Sequence, residues 1–212
     1  MRRSYKEKVV INTDYKQLKE YLINLPKVFQ TTGETIYEGR NTLKTFDVDG
    51  LSLNVKSFKK PHIINQIAYA NFRESKAKRS YTYAKKLLEL GINTPTPIAY
   101  MEFSRPGMLK YSLYVCEHIE VDNQLRVLQT GTIDEHRELI IAFAKFTAKL
   151  HSLKVLHLDY SSGNILYTLK DGVYTFYLVD LNRMEFGKDI DIHTATRNFR
   201  RLWGSDEMFI LF

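Results

Sequence analysis

One cysteine, Cys116, is all that this 212-residue chain contains, so no disulfide can form within it and a reducing compartment is expected. No window approaches the roughly 18 consecutive apolar residues of a membrane-crossing helix. The opening stretch, MRRSYKEKVVINTDYKQ, is basic and has no apolar core of signal-peptide length. A cytoplasmic protein is expected, one that at most sits on a membrane. Internal repeats and low-complexity linkers are also missing. The basic residues form no single stripe interleaved with aromatics, so no nucleic-acid partner is expected. The last residues, NFRRLWGSDEMFILF, are apolar with no polar tail or helix stop, which predicts a longer natural chain with at least one further helix.

What is present describes a folded protein. Hydrophobic residues make up 44% and the net charge is +7. That composition excludes a disordered chain. The charge would attract phosphates on a nucleotide, a nucleic acid or an anionic membrane surface, unless it is simply a solvated basic face.

The first half alternates with the period of strands. In ETIYEGRNTLKTFDVDGLSLNVKSF, short β-prone runs are broken at Gly39-Arg40-Asn41 and at the hairpin signal Asp49-Gly50. Leu51, Leu53 and Val55 fall on one face of the last run, which puts Lys56 on the side away from the core. Residues 75–90 predict a helix with Ala77, Tyr81, Ala84 and Leu88 as its buried stripe and Gly91 as its stop. NTPTP then forces an extended exit, and 111–120 reads as a buried strand. A long helix follows, with Thr132 and Glu135 at capping-box spacing and Leu139, Phe143, Phe146 and Leu150 facing inward. Beyond HLDYSSGN, ILYTL and VYTFYLVD predict a second hairpin that delivers Asp180 to its far end. Strands first and helices later predict an α+β, two-lobed protein: residues 1–116 as one lobe, 117–212 as the other, with a ligand expected between them.

The chemistry concentrates in HLDYSSGNILY and in the LVDLNR that follows. Asn164 and Asp180 offer the hard oxygen ligands that Mg²⁺ takes alongside substrate phosphates. Asp159 would then accept the proton of a hydroxyl attacking a phosphoryl group, or else merely stabilise its loop. Lys56 would hold nucleotide phosphates as a point charge, or else be a solvated strand lysine. Asp180 could instead cap a turn. His157 is expected to hold the loop by a hydrogen bond. Arg183 could meet an acceptor anion or pair with an acid.

These residues carry a family resemblance. HLDYSSGN has the H-x-D-x-x-x-x-N form of the protein-kinase catalytic loop, LVDLNR stands in the place of its metal-binding D-F-G, and LNVK resembles the strand bearing its lysine. RESKAKRSYTYAKKLLELGINTPTPIAY, LVDLNRM and NFRRLWG (the last matching a downstream helix) resemble segments of the Kdo/WaaP lipopolysaccharide core kinases, from about residue 34 onward. The resemblance implies a two-lobed kinase-like fold and phosphate transfer from ATP, with Mg²⁺, to a sugar hydroxyl of a lipopolysaccharide inner core, Kdo or heptose. It also implies that the backbone from Glu117 to Ile119 meets the adenine, with Gly39 all that remains of a glycine-rich phosphate loop. Ser80 stands where the helix glutamate partner of Lys56 is expected. Other readings stay open: a kinase for a small soluble molecule or a protein, and a pseudokinase that binds a nucleotide or partner without turnover.

Overall fold

Two Asp-Gly pairs shape the strands of this chain, and each turns a hairpin with both residues in the left-handed region: Asp49 and Gly50 at φ 50° and 79°, Asp171 and Gly172 at φ 50° and 75°. Positive φ at both central positions is what a tight two-residue hairpin requires. The computed structural model describes residues 6–58, 73–106, 108–202 and 204–212. They form two compact units: Met1–Lys85 with Pro95–Ile119, and Lys86–Thr94 with Glu120–Phe212. The first unit thus runs on to Ile119, beyond a simple division at residue 116, and residues 86–94 count with the second.

In the first unit, strands β1 (Lys6–Ile11), β2 (Glu34–Glu38), β3 (Asn41–Val48), β4 (Leu51–Phe58), β5 (Pro97–Arg105) and β6 (Met108–Glu117) make one antiparallel sheet in the order β1-β5-β6-β4-β3-β2. Helix α1 (Lys19–Val28) places Leu22 and Leu25, with Leu18 and Phe29 at its ends, against Leu53, Val55, Met101, Leu113 and Val115. The other face carries a second, smaller core of Phe58, Tyr100, Tyr114 and Cys116 under Ala77 and Tyr81 of helix α2 (Lys76–Glu89). Lys56 belongs to this second face, two residues from Phe58, with Nζ 5.5 Å from the Phe58 ring centre. Lys56 lies opposite the Leu53 and Val55 core, as expected, but that face is not solvent: the sheet is covered on both sides, so period-two alternation in β4 separates two cores.

The stripe of α2 also shifts. Leu87 is fully buried and Leu88 is 38% exposed, with Ser80 buried beside Ala77 and Ala84. At 3.6 residues per turn both leucines lie near the apolar arc, and the buried arc rotates towards the Ser80–Leu87 flank. Gly91, at φ 69°, ends the helix, and the Ile92 N–H returns to the Leu87 carbonyl at 2.9 Å in a Schellman arrangement.

In the second unit, helix α3 (Ile133–Ser152) starts on the expected capping box of Thr132 and Glu135. Its Phe143 stacks on Tyr160 at 5.9 Å and Phe212 at 5.2 Å, and Phe146 on Phe176 at 5.1 Å. Strand β7 (Asn123–Gln124) joins β9 (Ile165–Lys170) and β10 (Val173–Leu178) in a small sheet, while β8 (Val155–His157) pairs with β11 (Met184–Phe186). The 86–94 segment is tied in by Leu178, whose N–H reaches the Asn93 carbonyl at 3.0 Å and whose carbonyl accepts the Thr94 hydroxyl at 2.8 Å. Helices α4 (Ile192–Asn198) and α5 (Asp206–Leu211) close the described chain. The NFRR stretch expected within a helix leaves α4 at Asn198, and Arg201 instead forms a parallel bridge with Ser161.

The resulting fold is mixed α and β, with one large antiparallel sheet and several helices. Among the described residues, no helix is long and apolar enough to cross a membrane.

Candidate functional site

His157 ends β8 opposite Met184 of β11 and is 1% exposed. Its Nδ1 accepts the Asp159 N–H at 3.1 Å, which leaves Nε2 to carry the ring proton and donate to the Val179 carbonyl at 3.1 Å. Burial lowers its pKa, against the opposing pull of the Val179 carbonyl and the Asp180 and Asp159 carboxylates. A neutral imidazole is therefore built into the loop as a bracket, the role expected of it.

The backbone around the bracket is fixed at both ends. The Leu158 N–H donates to the Arg183 carbonyl at 2.9 Å, and the Val179 N–H to the Asn164 carbonyl at 3.0 Å. Asn164 closes a short 3-10 turn (Ser162–Asn164) and donates Nδ2 to the Asp159 carbonyl at 2.9 Å. Beneath it, the buried Ser162 hydroxyl accepts Gln129 Nε2 at 3.1 Å. Gly163 leaves room for Arg126, because a Cβ there would stand 2.5 Å from the guanidinium.

Asp180 lies two residues past the end of β10, not at the strand's last position, and adopts φ 57°. This is left-handed backbone outside any Asp-Gly turn. Aspartate tolerates it better than most residues, yet it still holds about 1–2 kcal/mol of strain relative to ordinary backbone. Asp180 Oδ1 accepts Asn182 Nδ2 at 2.5 Å.

The structure thus brings Asp159, Asn164 and the segment carrying Asp180 together within one unit. Among the described residues, no three or more His, Cys, Asp or Glu side chains gather into a cation cage. Carboxylate and amide oxygens are the ligand types that Mg²⁺ takes beside phosphate and water.

The other sequence-derived residues lie in the first unit. Lys56 sits in β4 across from Tyr114 of β6 and Leu43 of β3. Gly39 turns β2 into β3, its N–H bound to the Asn41 carbonyl at 3.1 Å, and a Cβ there would meet the Tyr37 hydroxyl at 2.6 Å. Glu117 ends β6, donates its N–H to the Thr96 carbonyl at 2.9 Å and accepts the Tyr15 hydroxyl at 2.5 Å. The next residue, His118, binds the Ser52 carbonyl at 2.8 Å, and Ile119 is the last residue of the unit. Cys116, just before, is buried and its thiol is pushed up to about 12, so it stays a neutral core residue.

Sequence reasoning missed two participants. Asn198, the last residue of α4, donates Nδ2 to the His157 carbonyl at 2.8 Å. Arg201 Nη1 pairs with Asp159 Oδ1. Both come from TRNFRR, where Arg197, Arg200 and Arg201 lie within five residues. That run of arginines is the available signal.

The same fold is known from other proteins. The chain is similar to a solved structure of WaaP in complex with acyl carrier protein, at a TM-score of 0.66 and 18% identity, over 96% of this chain and 86% of that one. No curated protein matches the chain. The model of the lipopolysaccharide kinase (Kdo/WaaP) family matches residues 32–207, and the chain belongs to that family. Membership places it among the phosphotransferases.

Proposed function

We propose that this protein transfers the γ-phosphoryl group of ATP to a sugar hydroxyl of a lipopolysaccharide inner core, on a Kdo or heptose residue. The observation that carries the reading is the doubly anchored loop, which holds Asp159 and Asn164 against the segment bearing Asp180. In this reading the two units are the lobes of a kinase-like fold. Asp159 takes the proton of the acceptor hydroxyl as its oxygen bonds to phosphorus and ADP leaves. Asn164 and Asp180 hold Mg²⁺, which when bound offsets negative charge on the phosphates. Lys56 meets the ATP phosphates, the Gly39 turn covers them, and the backbone from Glu117 to Ile119 meets the adenine. The net charge of +7 would favour peripheral contact with an anionic membrane surface at the cytoplasmic face.

A nucleotide-binding protein without turnover is the second reading. It is favoured by the Arg201 guanidinium on Asp159 and by a buried serine, Ser80, where a helix glutamate is expected. Calorimetric titration of ATP with and without Mg²⁺, followed by phosphate transfer to dephosphorylated inner-core glycolipid, tests both. Mg²⁺-dependent binding with transfer supports the kinase; Mg²⁺-dependent binding with no transfer to any acceptor supports the second reading; no binding refutes both.

A further inference from the structure

Arg201 has two faces. Its Nη1 holds Asp159 Oδ1, and the residue also lines a cavity of about 620 Å³ beside the 157–164 loop. Leu158 and Tyr160 of the loop line that cavity too, together with Arg197 and Arg200. One lining residue, Glu185, is acidic, and its carboxylate meets Lys188 at 3.2 Å. The residues lining the cavity thus include three arginines against one glutamate, whose carboxylate has its own cation. Guanidinium groups recognise carboxylate and phosphate through paired N–H donors, and three around one space select for an anion.

Arg201 is also placed to move. Its backbone is docked beside Ser161, while its side chain is 58% exposed, and Asp159 is 26% exposed. An ion pair open to water on its arginine side is of modest strength and can be exchanged for a second anion. While it persists, it occupies the carboxylate oxygen to which a hydroxyl proton would be delivered.

We propose that the Arg197–Arg200–Arg201 cavity receives an anionic group, carboxylate or phosphate, of the acceptor sugar, and that Arg201 exchanges Asp159 for that group as the acceptor enters. Arg201 is then a specificity-determining residue. It lets Asp159 act when an acidic acceptor is present and holds it when none is. The inference rests on the kinase reading for its catalytic half, but the anion site itself does not need turnover to be detected.

The test begins with binding. In the full chain labelled with ¹⁵N, the arginine Nε–H resonances are followed while glucuronate, glucose 6-phosphate, inorganic phosphate and glucose are added in separate titrations. Saturable shifts at Arg197, Arg200 and Arg201 with either sugar anion, and none with glucose, are expected. Arg201→Gln should weaken that binding at least tenfold, and Arg201→Lys should restore part of it. Shifts with inorganic phosphate alone, equal shifts with glucose, or none at all would overturn the anion site for the acceptor.

Transfer from ATP is then compared between an acidic inner-core acceptor and its carboxyl-reduced form. Arg201→Gln should lower kcat/KM at least tenfold for the acidic acceptor and raise it for the reduced one, collapsing the preference. An unchanged preference in Arg201→Gln would refute the exchange. An absence of transfer with the shifts intact would refute the kinase reading and leave the anion site standing.

Discussion

The Nε2 of His157 and the carbonyl oxygen of Val179 stand 3.1 Å apart, and this bond ties the Asp159 loop to the strand end that presents Asp180. It requires a ring proton on Nε2, and the Asp159 N–H donated to Nδ1 requires the ring to be neutral. Burial depresses the folded-state pKa of His157, and also that of His151, below the ordinary value near 6.5. The unfolded chain therefore binds more protons than the folded one at mildly acid pH. These two histidines contribute stability that is complete above about pH 6.5 and is lost as the pH falls below it. The urea midpoint should drop between pH 7.5 and pH 5.5, and His157→Gln should flatten the drop without removing the share of His151. A wild-type midpoint that rises on acidification would contradict the buried neutral imidazole.

Asp180 answers to both its backbone and its carboxylate, and substitutions separate the two. Asp180→Asn keeps a residue that tolerates left-handed backbone, so its melting temperature should stay within a degree or two of wild type while Mg²⁺-dependent ATP binding weakens. Asp180→Ala should weaken binding as well and lose about 1 kcal/mol of stability from the φ of 57°. Calorimetry with and without Mg²⁺, beside thermal unfolding, reads both quantities. Full Mg²⁺-dependent binding in Asp180→Asn would remove Asp180 from the metal site.

Asp159→Asn should leave ATP binding within twofold of wild type and reduce phosphate transfer by about 10²-fold or more, the usual share of a positioned base. Because the bonds from Asn164 to the Asp159 carbonyl and from Asp159 N–H to His157 use main-chain atoms, the loop should keep its shape in this variant. Retained turnover would mean that the proton leaves by another route.

Tyr160, next to Asp159, is anchored by a hydroxyl pair with Thr147 at 2.8 Å in the core of the second unit. Thr147→Val leaves a buried phenol without its partner and should cost about 1–3 kcal/mol. Adding Tyr160→Phe removes the stranded group, so the double variant should be more stable than Thr147→Val alone. Urea denaturation of the four members of this cycle gives the coupling, and an additive cycle would show that water replaces the bond.

Much of the architecture could be read residue by residue. The β2–β3–β4 meander is legible because its signals are local: alternation within each strand and a turn at Asp49-Gly50 that fits only a hairpin. The start of α3 is legible for the same reason, since Thr132 and Glu135 satisfy each other across three residues. The bracket role of His157 was also within reach. What alternation cannot reveal is a second core. Lys56 and Phe58 share a face that α2 covers, and nothing within β4 announces that helix. Nor could Asn198 and Arg201 be placed beside the loop, because each reaches it from more than forty residues away and leaves no local trace.

That remoteness bears on recombination with homologues. The loop from His157 to Asn164 is braced by Asn198, 41 positions downstream, and its Asp159 is engaged by Arg201, 42 positions downstream. A chimera with its crossover between Asn164 and Asn198 would take the loop from one parent and the brace from the other. Libraries built with breakpoints there would be enriched in inactive members even when each fragment comes from an active parent. Crossovers before Val155 or after Arg201 keep loop and brace from a single source.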